Sequence, residues 1–276
     1  MLSDIYWPSS ISRFGATVAV LVRKDDTHGS VLVTDPTLER FDAVCPEPFD
    51  EGCLIGSDKF LGLVGRSLRL VDLGSRSVTE VPIPRLLEDA MNDGGLFWSQ
   101  WHTACGRCWV VRFRDPRDQL FCLSLDDSGA LDASECVVPP HVRAGSLGGE
   151  SPGDTLFVTG FGRGPVWRAR LKGTATLEFD PKPHVEGESP SHVAGLGETL
   201  VAVDYGNRLV AFDGEPPVRP ELIIGGDPDD AVDGPTSVAR MHRGGGRGMV
   251  FLDADRLLFV DQMNGRVRLA TRTAVR

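Results

Sequence analysis

The last part of the chain alternates apolar runs with short polar turns. Three mostly apolar runs occupy residues 248–252, 256–261 and 266–271, and the gaps between them contain Asp, Asn or Gly. Such spacing is typical of β-strands joined by tight turns. In the third run Val267 and Leu269 alternate with arginines, which predicts an outer strand with one buried face.

The same pattern recurs along the whole chain. When the second strands of the copies are aligned, six apolar positions fall into register every 42 to 57 residues: Val18, Phe60, Cys108, Leu156, Leu200 and Leu257. A repeat of about 40 to 50 residues with several strands per copy is the signature of a β-propeller. Six copies fit the 276 residues. The sequence therefore predicts an all-β, six-bladed β-propeller that forms a single domain over residues 1–276.

The sixth copy supplies only three strands before the chain ends. An open sheet edge at that point would be liable to aggregate. Residues 4–7 are largely apolar and belong to no other predicted strand. We expect this N-terminal strand to pair as the fourth strand of the last blade and to close the ring.

Long connections between the predicted strands run over residues 82–93, 180–190 and 213–246. The first contains a short helical pattern at 85–92. Long loops on a rigid framework often carry recognition residues, so we expect the working surface to lie there.

Residues 224–269 resemble an NHL repeat. In that family the resemblance implies a propeller blade, and some members bind RNA on a basic face. The chain departs from the family pattern at Gly246-Arg247, where the family usually has proline. The matching positions are Gly225-Gly226, Asp233-Gly234, Ala239-Arg240-Met241, Gly248, the strand 258–261, Asn264 and Arg266-Val267-Arg268.

The net charge and the positions of the cysteines indicate which partners and which cellular compartment to expect. The formal net charge is −10 and the isoelectric point is about 5.1, which disfavours a general affinity for nucleic acid. The N-terminus lacks a signal-peptide pattern and no apolar run is long enough to span a bilayer. The six cysteines all lie in the first half of the chain, unlike a secreted disulfide framework. We therefore expect a soluble, cytoplasmic protein with no membrane association.

The first strand of each blade is expected to begin at the central channel. Side chains at those starts could converge on a cation or a polar ligand. They are Asp50, Glu51, Asn92, Asp93, His192 and Arg247.

Six-bladed enzymes of the gluconolactonase and strictosidine-synthase-like groups place their chemistry at this channel mouth. In the lactonase group the resemblance implies a Glu, two Asn and an Asp as metal ligands. The chain is similar at Asn92-Asp93, but Ser191-His192 stands at the second Asn position and the first blade begins without a Glu. We therefore expect no bound metal and no cofactor.

Two further motifs resemble metal sites. Cys105-Gly106-Arg107-Cys108 follows His102, but a zinc site needs four ligands and no second CxxC exists. Gly-Arg also suits a two-residue turn, so we interpret the motif as a hairpin. The acidic run 227–234 lacks the ligand spacing of a calcium loop, and we interpret it as a solvated loop.

A basic, glycine-rich segment follows at residues 240–247. Arg240, Arg243 and Arg247 could bind an acidic partner, or they could form internal salt bridges with the neighbouring acidic run. No nucleophile, P-loop or metalloprotease motif occurs. The leading hypothesis is a non-catalytic interaction module that binds a protein or another macromolecule through its loop faces. The alternative is an enzyme or small-ligand binder that uses the channel mouth.

Overall fold

The computed structural model describes most of the chain. The described residues are 7–23, 29–92, 99–112, 118–160, 163–187, 190–205, 208–215, 220–226, 232–235, 239–241 and 246–272. They form six separate antiparallel sheets, which we number as blades one to six in chain order.

The first three blades have four strands each, and hydrogen bonds join neighbouring strands. One α-helix, α1 (Arg85–Asn92), lies between blades two and three. Blade one contains β1 (Trp7–Phe14), β2 (Thr17–Arg23), β3 (Gly29–Thr34) and β4 (Asp42–Cys45); blade two contains β5 (Glu51–Leu54), β6 (Lys59–Val64), β7 (Ser67–Asp72) and β8 (Val78–Val81); blade three contains β9 (Ser99–Ala104), β10 (Arg107–Arg112), β11 (Gln119–Leu125) and β12 (Leu131–Cys136).

The last three blades differ in strand number. Blade five carries an additional short strand, which pairs in parallel with its neighbour, and blade six has three described strands. Blade four contains β13 (Ser146–Gly149), β14 (Thr155–Gly160), β15 (Arg163–Lys172) and β16 (Thr176–Phe179); blade five contains β17 (His192–Leu196), β18 (Leu200–Asp204), β19 (Leu209–Phe212), β20 (Glu221–Gly226) and β21 (Arg240–Met241); blade six contains β22 (Gly246–Asp253), β23 (Arg256–Asp261) and β24 (Arg266–Thr271).

The innermost strands form a closed ring. β1 contacts β5, which contacts β9, and the series continues through β13, β17 and β22 back to β1. The predicted six-bladed propeller is therefore confirmed. The six aligned positions of the sequence repeat all lie in second strands of their blades, β2, β6, β10, β14, β18 and β23.

A cluster of buried apolar side chains fills each of the six interfaces between neighbouring blades. The interface between blades six and one, for example, packs Ile11 and Val20 against Leu252 and Leu258. Because each sheet has two faces to bury, stacking around a ring covers both of them.

The closing strand predicted at residues 4–7 falls mostly outside the described residues. Trp7, its last residue, belongs instead to β1 and pairs with Arg23 of β2. Within the described residues, no fourth strand pairs with β24. Pairing by residues 4–6 therefore stays a prediction.

Two of the predicted connections contain regular secondary structure. The helical pattern at 85–92 forms α1, as predicted. The connection 213–246 contains β20 and β21, because its apolar residues extend the sheet of blade five.

No helix in the described part of the chain combines the length and apolarity needed to cross a membrane.

Candidate functional site

The innermost strands all run in the same direction, from an upper face where they begin to a lower face where they end. At the lower face, the loop after β13 covers the channel. The backbone N–H of Gly15 in blade one donates to the Ser151 carbonyl at 2.5 Å, although blades one and four lie opposite each other in the ring. Gly106 of blade three donates to Ser151 Oγ at 3.1 Å. The channel is thus closed at its lower end.

Close packing also narrows the channel. A Cβ atom on Gly148 would lie 2.4 Å from the Val193 carbonyl oxygen, and one on Gly195 would lie 2.2 Å from the Phe157 ring. Glycine at 148 lets the inner strands β13 and β17 approach, and glycine at 195 makes room for the Phe157 ring of β14. The remaining cavity is about 40 Å³, which is room for a few water molecules. Within the channel, a larger ligand could bind only at the upper mouth.

Buried and half-buried polar side chains occur on the two inner strands of blades three to five. His192, at the start of β17, pairs across the strands with Asp204, and Ser146 pairs with Thr159 in the same way. His102, Ser146 and His192 line the channel cavity, and Gln100 lies 3.4 Å from His192. We call the whole set the upper polar cluster: Gln100, His102, Ser146, Thr159, His192 and Asp204.

His192 and Asp204 lie next to each other in this cluster. They are 6% and 1% exposed, and His192 Nδ1 lies 3.9 Å from Asp204 Oδ2. The Gln100 amide nitrogen lies 3.4 Å from His192 Nε2. The imidazole and the carboxylate are thus neighbours at the channel wall, at a separation longer than a hydrogen bond.

Four atoms of the cluster have no hydrogen-bond partner among the described residues: Gln100 Oε1, His102 Nε2, Ser146 Oγ and Thr159 Oγ1. Burial lowers the pKa of His102 to about 4, so its ring is neutral at neutral pH. A buried polar group left without a partner costs about 1–3 kcal/mol. Several such groups in one place indicate a site for water or for a polar ligand.

Among the predicted channel residues, His192 lies in the cluster, whereas Asp50 has a structural role. Its carboxylate accepts the Gly65 backbone N–H at 2.7 Å and lies 3.5 Å from Arg23 Nη1. These contacts fix the turn between β6 and β7. Glu51 is the first residue of β5 and is half-buried.

Asn92 does not lie at the start of a first strand. It is the exposed last residue of α1, and its Oδ1 accepts a hydrogen bond from Arg66 at 3.0 Å. The first strand of blade three begins at Ser99 instead. The prediction placed the strand start too early because α1 and the residues after it precede β9. Asp93 lies outside the described residues.

The predicted partner-binding arginines are only partly described. Arg240 Nη1 donates to the Ala239 carbonyl at 2.9 Å, and its backbone forms two hydrogen bonds with Val232. Arg243 lies outside the described residues. Arg247 belongs to β22, and only its backbone is described.

Arg268 of β24 binds residues in the stretch of chain that links blade five to blade six. Its guanidinium donates to the carbonyls of Arg240 and Val232 and lies 2.7 Å from Asp233 and 3.1 Å from Asp261. The described end of the acidic run therefore pairs with blade six. Asp233, Asp261 and Arg268 thus form one ion-paired group.

The CxxC motif forms a hairpin, but its turn lies one residue earlier than the predicted Gly-Arg pair. Cys105 and Gly106 have positive φ angles of 52° and 68° between β9 and β10, and Arg107 is the first residue of β10. Cys105 packs between blades three and four, whereas Cys108 packs between blades two and three, 3.1 Å from Cys53 Sγ. No group of three possible metal ligands occurs among the described side chains.

Sequence reasoning missed five members of the cluster, all except His192. Asp204 carried a usable signal, because it ends the apolar strand β18 directly opposite His192. Ser146 is the first residue of the inner strand β13. Gln100, His102 and Thr159 became recognisable only when the register of blades three and four was known.

No protein-family model and no curated protein matches the chain. Solved structures do match. A gluconolactonase from Xanthomonas campestris is 12% identical with a TM-score of 0.57, and the match covers 97% of this chain and 86% of that one. The PQQ-bound aldose sugar dehydrogenase from Streptomyces coelicolor is 13% identical with a TM-score of 0.53, and the match covers 97% of this chain and 94% of that one.

A third match is an auxiliary nutrient binding protein from Bacteroides ovatus, with 12% identity, a TM-score of 0.58 and coverage of 95% and 69%. At such identities these structures support the propeller fold and nothing more specific.

Proposed function

We propose that the protein binds a small, polyhydroxylated ligand at the upper mouth of its channel. The observation that carries the proposal is the upper polar cluster, in which four buried polar atoms lack partners within the described residues. Their neighbours His192 and Asp204 add one imidazole and one carboxyl group. The channel below is narrow, so the ligand would lie over the cluster.

The chemistry of the cluster favours hydroxyl groups on the ligand. Amide, imidazole and hydroxyl side chains both donate and accept hydrogen bonds, which suits a sugar or a sugar lactone. Two of the similar folds are named as a gluconolactonase and an aldose sugar dehydrogenase, which supports testing this ligand class first. The proposal covers binding and leaves catalysis open.

The test is isothermal titration calorimetry with D-glucose and glucono-1,5-lactone. We expect saturable binding of at least one, weakened about tenfold by Thr159→Val, because the variant removes a hydroxyl at constant shape. Thr155→Val is the matched control, since Thr155 lies on the same strand near the lower face and bonds Asp154. Absence of binding, with water alone on the cluster in a crystal structure, would contradict the proposal.

A second candidate function is protein binding through the upper face. It is favoured by the contacts of Arg268, which fix the exposed residues Val232 and Asp233 beside blade six. A fixed loop costs less entropy on binding than a free one. The substitutions Arg243→Glu and Arg247→Glu together should reduce capture of a verified partner without lowering the melting temperature. A lower melting temperature with unaltered capture would instead assign these arginines to the fold.

A further inference from the structure

A second cavity lies between blades four and five, away from the channel. Its volume is about 840 Å³, within the size range of small-molecule sites. The stretch 180–187 forms one wall, and β19 with Tyr205 and Arg208 forms the other. None of its lining residues lines the channel. We call this cavity the side cleft.

The side cleft exists because the outer strand of blade four is short. β16 ends at Phe179, and the chain then leaves the sheet edge. Val185 returns to form a bridge with Val166, and two backbone hydrogen bonds of 2.9 and 3.1 Å fix it there. Pro181 and Pro183 occur in this wall, which limits its backbone freedom. The wall is thus fixed in the absence of a ligand.

The opposite wall is aromatic. Phe212 and Val210 are buried in the interface between the two blades, and Tyr205 packs beside them. The guanidinium carbon of Arg208 lies 5.0 Å from the centre of the Tyr205 ring, within the range of a cation–π contact. Gly187 lies against the edge of the same ring, since a Cβ there would be 3.0 Å from Tyr205 Oη. The ring is therefore held from two sides.

The charged groups of the cleft divide into paired and unpaired sets. Arg168 bonds Asp180 at 2.6 Å and Glu215 at 2.8 Å, so these three neutralise much of their charge. Lys182, Arg208 and Glu186 form no ion pair among the described residues.

His184 adds no charge to this balance at neutral pH. Burial lowers its pKa, and its Nε2 lies 3.4 Å from the Thr199 carbonyl. The unpaired groups of the cleft are therefore two cations and one carboxylate, whereas Arg168 is shared by two carboxylates, so the charges of the lining sum to zero. What favours an anion is the position of Arg208, which lies over the Tyr205 ring and has no carboxylate partner among the described residues.

We propose that the side cleft is a second ligand site and that it accepts a planar aromatic anion. The ring of the ligand would contact Tyr205 and Phe212, and its carboxylate would bind Arg208 and Lys182. Arginine suits this role because its planar guanidinium both stacks on aromatic rings and binds carboxylates through two N–H groups. This site is independent of the ligand proposed for the channel mouth.

The test compares 2-naphthoate with its neutral analogue 2-naphthalenemethanol by isothermal titration calorimetry. We expect one saturable naphthoate site per chain and binding of the alcohol weaker by about tenfold or more, because the alcohol lacks the charge that Arg208 and Lys182 bind. Arg208→Gln should lower the affinity for naphthoate to the affinity that the wild type has for the alcohol. Arg170→Gln is the matched control, since Arg170 pairs with Glu198 and does not line the cleft.

Three results would overturn the proposal: no saturable naphthoate binding, equal affinity for the two probes, or an unaltered site in Arg208→Gln. Tyr205→Leu provides a second variant, and its folding can be checked by thermal unfolding. If Thr159→Val but not Arg208→Gln abolished naphthoate binding, the site would belong to the channel mouth instead.

Discussion

His102 makes stability depend on pH. Burial lowers the pKa of its folded state to about 4, whereas an unfolded histidine titrates near 6.5. Below pH 6.5 the unfolded chain therefore binds more protons, and stability falls until the pH reaches about 4. At pH 5 the expected loss relative to pH 7 is about 2 kcal/mol. Urea unfolding at the two pH values measures it.

The control for this effect is His102→Gln, which cannot be protonated. Between pH 7 and pH 5 the variant should lose about 2 kcal/mol less stability than the wild type. Some dependence should remain, because burial lowers the pKa of His184 in the same direction. If wild type and variant lose equal stability, His102 is solvated in the folded protein and the polar cluster is more open than its geometry indicates.

All six cysteines are buried and reduced, so we expect them to be unreactive in the folded protein. Burial raises the pKa of Cys105 and Cys136 to about 12 and of Cys45 and Cys122 to about 11. Because the thiolate is the reactive form, a disulfide reagent at pH 8 should label no thiol until the protein is unfolded. It should then label six. Rapid labelling of one thiol in the folded state would contradict this.

The candidate site was only partly predictable at the residue scale. His192 could be found because it begins a strand after a proline and stands out in an apolar region. Asp204 is equally buried, but an acidic residue at the end of an apolar strand is also the ordinary start of a turn. What distinguishes it is the pairing with His192, and pairing is a property of the sheet.

Gly148 of β13 should tolerate no side chain. A Cβ there would lie 2.4 Å from the Val193 carbonyl oxygen of β17, and backbone atoms of two inner strands cannot move apart without disturbing the ring. Gly148→Ala should therefore lower the free energy of unfolding by about 1–3 kcal/mol or more. Gly225→Ala on β20 is the matched control, because its nearest neighbour would be 3.6 Å away. Equal stability of the two variants would mean that the inner strands are further apart.

Elements differed in how well the sequence predicted them. Second strands were located in all six blades, because they are covered on both faces and are apolar throughout, as in Val201, Ala202 and Val203 of β18. The start of blade three was misplaced, because α1 and an apolar stretch before Ser99 offered two possible strand starts. β21 was missed, because two residues carry no periodicity.

In the molecule as a whole, blade six stands out because it has three described strands and not four. The buried cluster between blades six and one joins the two ends of the ring, and this contact does not need a fourth strand in blade six. Among the described strands, β24 lies at the sheet edge, with Leu269 45% exposed. Exposed strand edges are sites of aggregation.

The last prediction concerns that edge. If residues 4–6 pair with β24, deleting residues 1–6 should remove the strand and the burial of Ile5, which is worth about 1.5–3 kcal/mol by transfer. The deletion leaves β1 intact from Trp7 onward, so a lower melting temperature and faster aggregation would report on β24 and not on blade one. Deleting residues 273–276, which follow β24, is the matched control. Thermal unfolding and light scattering are measured for both truncated chains. Equal melting temperatures and equal aggregation rates would show that blade six is stable with three strands.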